Sequence, residues 1–187
     1  MPILPAEPEY YPPSLWEGNS TYSADSDEKW WCLHTKPRQE KSTARDLYKQ
    51  RLTYYLPQIL QEDFTPRGRR TRSMIPFFAS YLFLFGDDEA RVSALRGNRL
   101  VSVLEVADQK TLERDLRQVN QMLHSGLPVT TGASVSIGSR VRILTGPLMG
   151  IEGTVIRRGN REQFVAVVNF LRQGAVVDLQ DWQVERI

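Results

Sequence analysis

Ile75-Pro-Phe-Phe-Ala-Ser-Tyr-Leu-Phe-Leu-Phe85 is the stretch that decides the fold. Its aromatic and aliphatic residues follow a proline and end at Gly86-Asp87-Asp88, which is the grammar of a β-strand. Strand alternation puts Leu82 and Leu84 on one face of a sheet and Tyr81, Phe83 and Phe85 on the other. Both faces are apolar, and two readings stay open. Either the strand is central and covered on both sides, or one face shows a row of aromatics to water and serves as a partner site. The upstream flank, Arg67-Gly-Arg-Arg-Thr-Arg72, favours the second reading. An aromatic patch beside a basic loop suits a large anionic partner.

Working outward, the 187 residues suffice for one ordinary domain or two small ones. No apolar run approaches the roughly 20 residues of a membrane span, and the N-terminus lacks the basic-then-apolar order of a signal peptide. A single cysteine, Cys32, allows no internal disulfide and fits a cytoplasmic home. With only His34 and His124 as histidines, no structural zinc site and no cofactor is expected. No phosphate-loop, nucleophile-elbow or paired-carboxylate pattern is present, so the chain reads as non-enzymatic. Charge is unevenly placed. Met1–Lys29 is net −5, Trp30–Val106 net +5, and Ile137–Ile187 net +2. The basic block lies beside the aromatic strand, which favours a role next to nucleic acid, although a solvated mixed-charge face is the commoner meaning of scattered Lys and Arg.

Met1–Lys29, rich in Pro, Glu, Ser and Tyr, reads as a disordered acidic tail. Trp30–Thr35 is a strand, followed by a helix from Thr35-Lys36-Pro37 to about Leu52 with Ala44, Leu47, Tyr48 and Leu52 on one face. Tyr54–Pro57 is a second strand. Gln61–Met74, polar and basic, reads as a mobile hairpin loop. Asp87, Asp88 and Glu89 cap a short helix. Leu100–Val106 is a strand. Asp108 starts a helix with a Leu112, Leu116, Val119, Leu123 stripe. The order β-α-β-β-α-β is ferredoxin-like, an α+β fold with helices on one face of an antiparallel sheet. The expected domain therefore covers 30–124, and 125–136 is a Pro/Thr/Gly/Ser linker. From 137 to 187, short Val-rich strands alternate with glycine turns. Arg140–Leu144, Gly153–Arg157, Phe164–Phe170 and Ala175–Leu179 are followed by Trp182-Gln-Val184. That spacing predicts a small β-barrel with Trp182 in its core.

The stretch Ile137-Gly-Ser-Arg-Val-Arg-Ile-Leu-Thr-Gly-Pro-Leu-Met-Gly-Ile-Glu-Gly-Thr-Val155 resembles the KOW motif, whose domain is an SH3-like barrel. Val177-Asp-Leu and Trp182-Gln-Val-Glu185 are similar to its last strands. Trp30–Leu33, the helix with Lys36 and Gln39, the Arg67–Arg72 loop and the Phe78–Phe83 strand resemble an NGN domain. This NGN-linker-KOW order, spanning nearly everything after Lys29, resembles the NusG family of bacterial transcription elongation and antitermination factors. Arg67-Gly-Arg-Arg-Thr and Ser80-Tyr-Leu-Phe83 are similar to its RfaH-type specialised paralogues. The family's usual Phe-Pro-Gly or Phe-Pro-Asn before the tyrosine is here Phe78-Ala79-Ser80.

The resemblance implies a cytoplasmic, monomeric, non-enzymatic factor that rides on RNA polymerase and modulates pausing and termination. It implies that Tyr81 and Phe83, with Leu104 and His34 beside them, contact the clamp helices of the largest polymerase subunit. It implies that Lys36, Gln39 and Arg99 contact the non-template DNA strand, Gln39 at a base edge and the two cations at phosphates. Asp46 departs from that pattern. Arg67, Arg69, Arg70 and Arg72 would attract nucleic acid by charge. Leu148, with Met149 beside it, matches the site where the KOW domain takes ribosomal protein S10 or the termination factor Rho, although a buried turn residue fits Leu148 equally. A ribosome-associated or RNA-binding KOW protein is the alternative reading. A C-terminal helical hairpin is not expected, because glycines cost roughly 1 kcal/mol each and proline about 3 in a helix interior.

Overall fold

The computed structural model describes residues 7–18, 20–64, 68–133, 138–158, 161–178 and 184–187. They form two compact units, Met1–Gln109 and Lys110–Ile187.

The N-terminal unit is built on an antiparallel sheet of five strands. These are β1 (Tyr10–Tyr11), β2 (Lys29–Thr35), β3 (Thr53–Tyr55), β6 (Tyr81–Gly86) and β7 (Leu100–Glu105), in the order β1-β3-β6-β2-β7. The Tyr-Leu-Phe-Leu-Phe run of β6 is the middle strand, which explains why neither of its faces is polar. Two helices, α1 (Glu40–Lys49) and α2 (Asp88–Leu95), cover one face. There Leu82 and Leu84 join Trp31, Leu33, Tyr54 and Leu56 in a core closed by Ala44, Leu47, Ala90 and Ala94 of the helices. Asp87 caps α2 as its sequence implies, its carboxylate accepting from Ala90 N at 2.9 Å. By contrast, α1 starts only at Glu40 and ends at Lys49, inside the expected span. Arg38 and Arg51, with φ of 62° and 58°, take left-handed backbone just outside its two ends, which the α-helix cannot incorporate.

Two further differences concern segments without a helical or strand period. The leader, expected to be disordered over 1–29, contributes β1, which pairs Tyr10 with Tyr55 and Tyr11 with Tyr54. Its aromatic residues find apolar partners on the sheet edge, and composition averaged over the whole tail hides them. The 61–74 segment, expected to be a mobile hairpin loop, does lie in a hairpin, but its described residues belong largely to two paired strands, β4 (Gln58–Phe64) and β5 (Arg70–Pro76).

The C-terminal unit holds α3 (Gln109–Leu123) from Lys110 onward, together with a six-stranded antiparallel sheet. Its strands are β8 (Thr130–Ala133), β9 (Ser139–Ile143), β10 (Glu152–Arg158), β11 (Arg161–Val168), β12 (Gln173–Asp178) and β13 (Val184–Arg186), ordered β13-β9-β10-β11-β12-β8. Leu112, Leu116, Val119 and Met122 of α3 are buried. The expected barrel is not found, because among the described residues the sheet is open, with β13 and β8 at its edges. Thr130–Ala133, expected as linker, supplies the edge strand beside β12. Trp182, expected in the barrel core, lies outside the described residues. Gly153 sits where a Cβ would lie 2.6 Å from Phe164 Cζ, so this crossing of β10 over a core ring needs glycine. The described part of 137–187 is strand and turn apart from a single 3-10 turn, with no helical hairpin.

Candidate interaction surfaces

The second face of the N-terminal sheet carries no α1 or α2 core residue. Pairing registers place Tyr55, Phe83, Cys32 and Leu104 in one cross-strand row of this face, flanked by Phe85 and Trp30 on one side and Tyr81 and His34 on the other. The row is not open to water. Phe83 is 0% exposed and Phe85 7%, which corrects the expectation of an exposed aromatic row. Phe78 meets Phe83 edge-on with ring centroids 6.5 Å apart. At the other end, the leader's Trp16 stacks on Trp30 at 6.0 Å and lies edge-on to Tyr55 at 4.9 Å. Burial also pushes the Cys32 thiol up to about 12, so this sulfur stays protonated and inert. The reachable end is Tyr81, stacked on His34 at 5.0 Å, both partly exposed, with Leu104 partly exposed in the adjoining row.

Tyr81 is positioned from below. Ser80 takes φ 66°, a left-handed conformation that suits glycine or asparagine better than serine. The buried Glu40 carboxylate holds it there by accepting from Ser80 N at 2.7 Å, while Ser80 O accepts from Thr35 N at 2.8 Å. The departure at Ala79-Ser80 is thus tied down by the first residue of α1.

The structure brings Lys36, Gln39 and Arg99 together. Arg99 Nη1 donates to Gln39 Oε1 at 2.9 Å, and its Nε donates to Asp46 Oδ2 at 2.7 Å. Lys36 Nζ donates to Asn98 O at 2.7 Å and to Asn98 Oδ1 at 3.1 Å. Asp46, which departs from the expected basic pattern, is the anchor that aims Arg99. Asp46 and Asn98 are the participants that sequence reasoning missed. The missed signal was complementary charge, an acid next to Arg45 on α1 set against Arg99. A guanidinium can only donate, so it is the oxygen of the Gln39 amide that the Arg99 bond engages.

Beyond its base at Gln58 and Pro76, the hairpin is largely exposed. Its residues alternate so that Leu60, Glu62 and Phe64 of β4 share a face with Met74, Arg72 and Arg70 of β5. Leu60, Met74 and Phe64 are 50%, 42% and 73% exposed. Glu62 bridges the two arginines, accepting from Arg72 Nε at 2.7 Å and pairing with Arg70. The Arg70 and Arg72 bonds hold its carboxyl below the usual carboxylate range. Arg69 is exposed beside them, and Arg67 lies outside the described residues.

In the C-terminal unit the β9–β10 turn separates the two residues that the sequence paired. Leu148 is fully buried, whereas Met149 is 64% exposed. Gly146 and Gly150, both at φ 87°, shape this turn, with Gly150 N donating to Ile143 O at 2.8 Å. Asp115 of α3 is nearly buried and accepts from Asn169 N at 3.0 Å and Nδ2 at 2.8 Å. Burial pushes its carboxyl up despite those bonds.

Among the described residues no cluster of three or more His, Cys, Asp or Glu could hold a metal, and no helix is long and apolar enough to cross a membrane. The profile of one protein family, NusG, described as transcription termination factor nusG, matches residues 28–130, more than half of the chain. No curated protein matches it.

Proposed function

The chain belongs to the NusG family of transcription factors, and from that premise we propose that it is an RfaH-type elongation factor that binds RNA polymerase and modulates pausing and termination. In this reading the N-terminal unit docks on the clamp helices of the largest subunit, and Tyr81 with His34 forms the contact. The observation that carries it is the His34–Tyr81 stack, the accessible end of an otherwise covered apolar face. Aromatic anchors of this kind dominate interface energetics. Leu104 flanks the stack, and Phe83 supports it from within.

The Lys36–Gln39–Arg99 cluster faces the non-template DNA strand in this reading. Lys36 and Arg99 balance phosphate, and the Gln39 NH2 meets an acceptor on a base edge. The hairpin arginines add diffuse attraction. The C-terminal unit acts as the family's KOW module, with exposed Met149 at the turn that takes ribosomal protein S10 or Rho and with Leu148 packed beneath it. The factor works as a cytoplasmic monomer.

Affinity purification of the intact chain from its own cells tests the reading. RNA polymerase subunits should dominate the recovered proteins, and their recovery should survive nuclease treatment. Recovery of ribosomal subunits with no polymerase would instead support an RNA-binding role at the ribosome.

A further inference from the structure

The leader that precedes the family-matched region is held to the N-terminal unit in two different ways. Its stem is fastened by polar bonds. The Glu7 carboxylate, 4% exposed, receives Arg45 Nε at 3.1 Å and pairs with Lys41 at 3.4 Å. Tyr54 OH donates to Pro8 O at 2.8 Å, Leu56 N donates to Glu9 O at 2.7 Å, and Tyr10–Tyr11 completes the sheet edge. The tip, residues 12–18, is held otherwise. Within it, Leu15 N donates to Pro12 O and Glu17 N to Ser14 O, and Leu15 O accepts from Thr21 Oγ1 at 3.3 Å. It buries the Leu15 side chain and lays an aromatic ring on the sheet. Trp16 lies parallel to Trp30 at an interplanar angle of 9° and edge-on to Tyr55.

The seat under Trp16 is chemically incomplete. Trp30 Nε1 and Tyr55 OH are both fully buried there and have no hydrogen-bond partner among the described residues. Buried donors without acceptors cost free energy, and native structures rarely keep them without a reason. The seat adjoins Phe85, which packs on Trp30 at 5.2 Å, and lies on the same sheet face as Tyr81 and His34.

We propose that residues 12–18 are a displaceable cover over a protein-docking face. In the free protein Trp16 closes the Trp30–Tyr55–Phe85 end. A partner segment docking at the His34–Tyr81 end extends across the face and replaces Trp16. That segment supplies an apolar side chain for the Trp30 ring and carbonyl or carboxylate oxygens for Trp30 Nε1 and Tyr55 OH. The polar stem keeps the leader attached while the tip moves. The proposal rests on the reading that the partner is RNA polymerase.

Binding of purified core RNA polymerase to the wild-type chain, Trp16→Ala and Tyr81→Ala separates the two ideas. A cover closed nine-tenths of the time lowers apparent affinity about 10-fold, so Trp16→Ala should bind about 10-fold tighter, and Tyr81→Ala should bind more weakly. Hydrogen exchange on the wild-type chain gives an independent readout. The amides of Leu15 and Glu17 should lose protection when polymerase is bound. Retained protection of those amides in the complex overturns the cover, as does unchanged or weaker binding by a Trp16→Ala chain with wild-type circular dichroism. If Trp16→Ala does not fold, the exchange result alone decides. A wild-type chain that fails to bind polymerase overturns the polymerase reading and the cover with it, whereas weakening by Tyr81→Ala alone leaves that reading standing.

Discussion

The β6 strand and the β4–β5 hairpin sit next to each other in sequence and look like two parts of one exposed surface, yet their apolar residues meet opposite fates. Phe83 of β6 is 0% exposed, while Phe64 of the hairpin is 73% exposed. The difference lies in what each strand is paired with. Strand β6 has a neighbour on both sides, helices on one face and aromatic side chains such as Phe78 on the other. Among the described residues the hairpin has only its own two strands. Hydrophobicity therefore says that a residue favours burial, whereas the number of layers available decides whether it is buried.

Mutation at the two phenylalanines gives the widest expected contrast. Phe83→Ala should destabilise the N-terminal unit by about 3–5 kcal/mol, as for a large core ring. Phe64→Ala should stay within about 0.5 kcal/mol, as for an exposed site. Urea unfolding followed by circular dichroism measures both, and similar losses would erase the distinction. A corollary is that Phe83 is unsuitable for testing an interface, since its loss acts through folding.

The basic residues divide in the same way. In the α1–β7 cluster, Arg99 is aimed by Asp46 and Gln39, whereas hairpin Arg70 and Arg72 share Glu62 at an exposed site. In the proposed reading, Gln39→Met removes a base-edge donor and no charge. It should cut discrimination between DNA sequences by about 1–3 kcal/mol while leaving the salt dependence alone. Replacing Lys36 and Arg99 by Gln should lower the salt slope of single-strand binding by about 0.7 per lost phosphate contact. Replacing Arg70 and Arg72 should lower it less. Titrations of labelled single strands at several salt concentrations resolve these effects, and an equal drop for both pairs would mean that the hairpin reads DNA as directly as the cluster does.

The smallest effects are expected from two carboxylates with opposite pH behaviour. The Glu62 pKa is lowered by its bonds to Arg70 and Arg72, so the stability it adds is present above the ordinary carboxylate range and lost as pH falls through its folded value. The Asp115 pKa is raised by burial, so its contribution is greatest in acid and lost as pH rises through its folded value. Glu62→Gln should therefore cost stability at neutral pH and nothing in acid. The stability of Asp115→Asn relative to the wild-type chain should improve as pH rises. Thermal unfolding across pH 3–8 checks both signs, at roughly the interval in which carboxylates titrate.

Much of this organisation was legible in the sequence. Two-residue alternation in Tyr81–Phe85 correctly divided its side chains between two sheet faces, because strand geometry enforces that period. Asp87 was legible as a cap from its place before the α2 turn. What the sequence hid were contacts between distant segments. The leader's tyrosines and Trp16 lie in a stretch too rich in proline and acid to show a period, and their partners are Tyr54, Tyr55 and Trp30. Asp46 looked like an intruder in a basic face until Arg99 was beside it, 53 residues away. Leu148 and Met149 are adjacent and similar in character, so only the turn geometry sorts one inward and the other outward.

If the accessible end of the sheet face is the polymerase contact, the affinity of purified core RNA polymerase for Tyr81→Ala beside Phe64→Ala reports it most directly. Loss of an interface anchor costs about 2 kcal/mol or more, so Tyr81→Ala should bind roughly 30-fold more weakly with its unfolding midpoint retained. Phe64→Ala should bind as the wild-type chain does. Normal binding by a folded Tyr81→Ala chain would contradict a contact at this end and move it elsewhere.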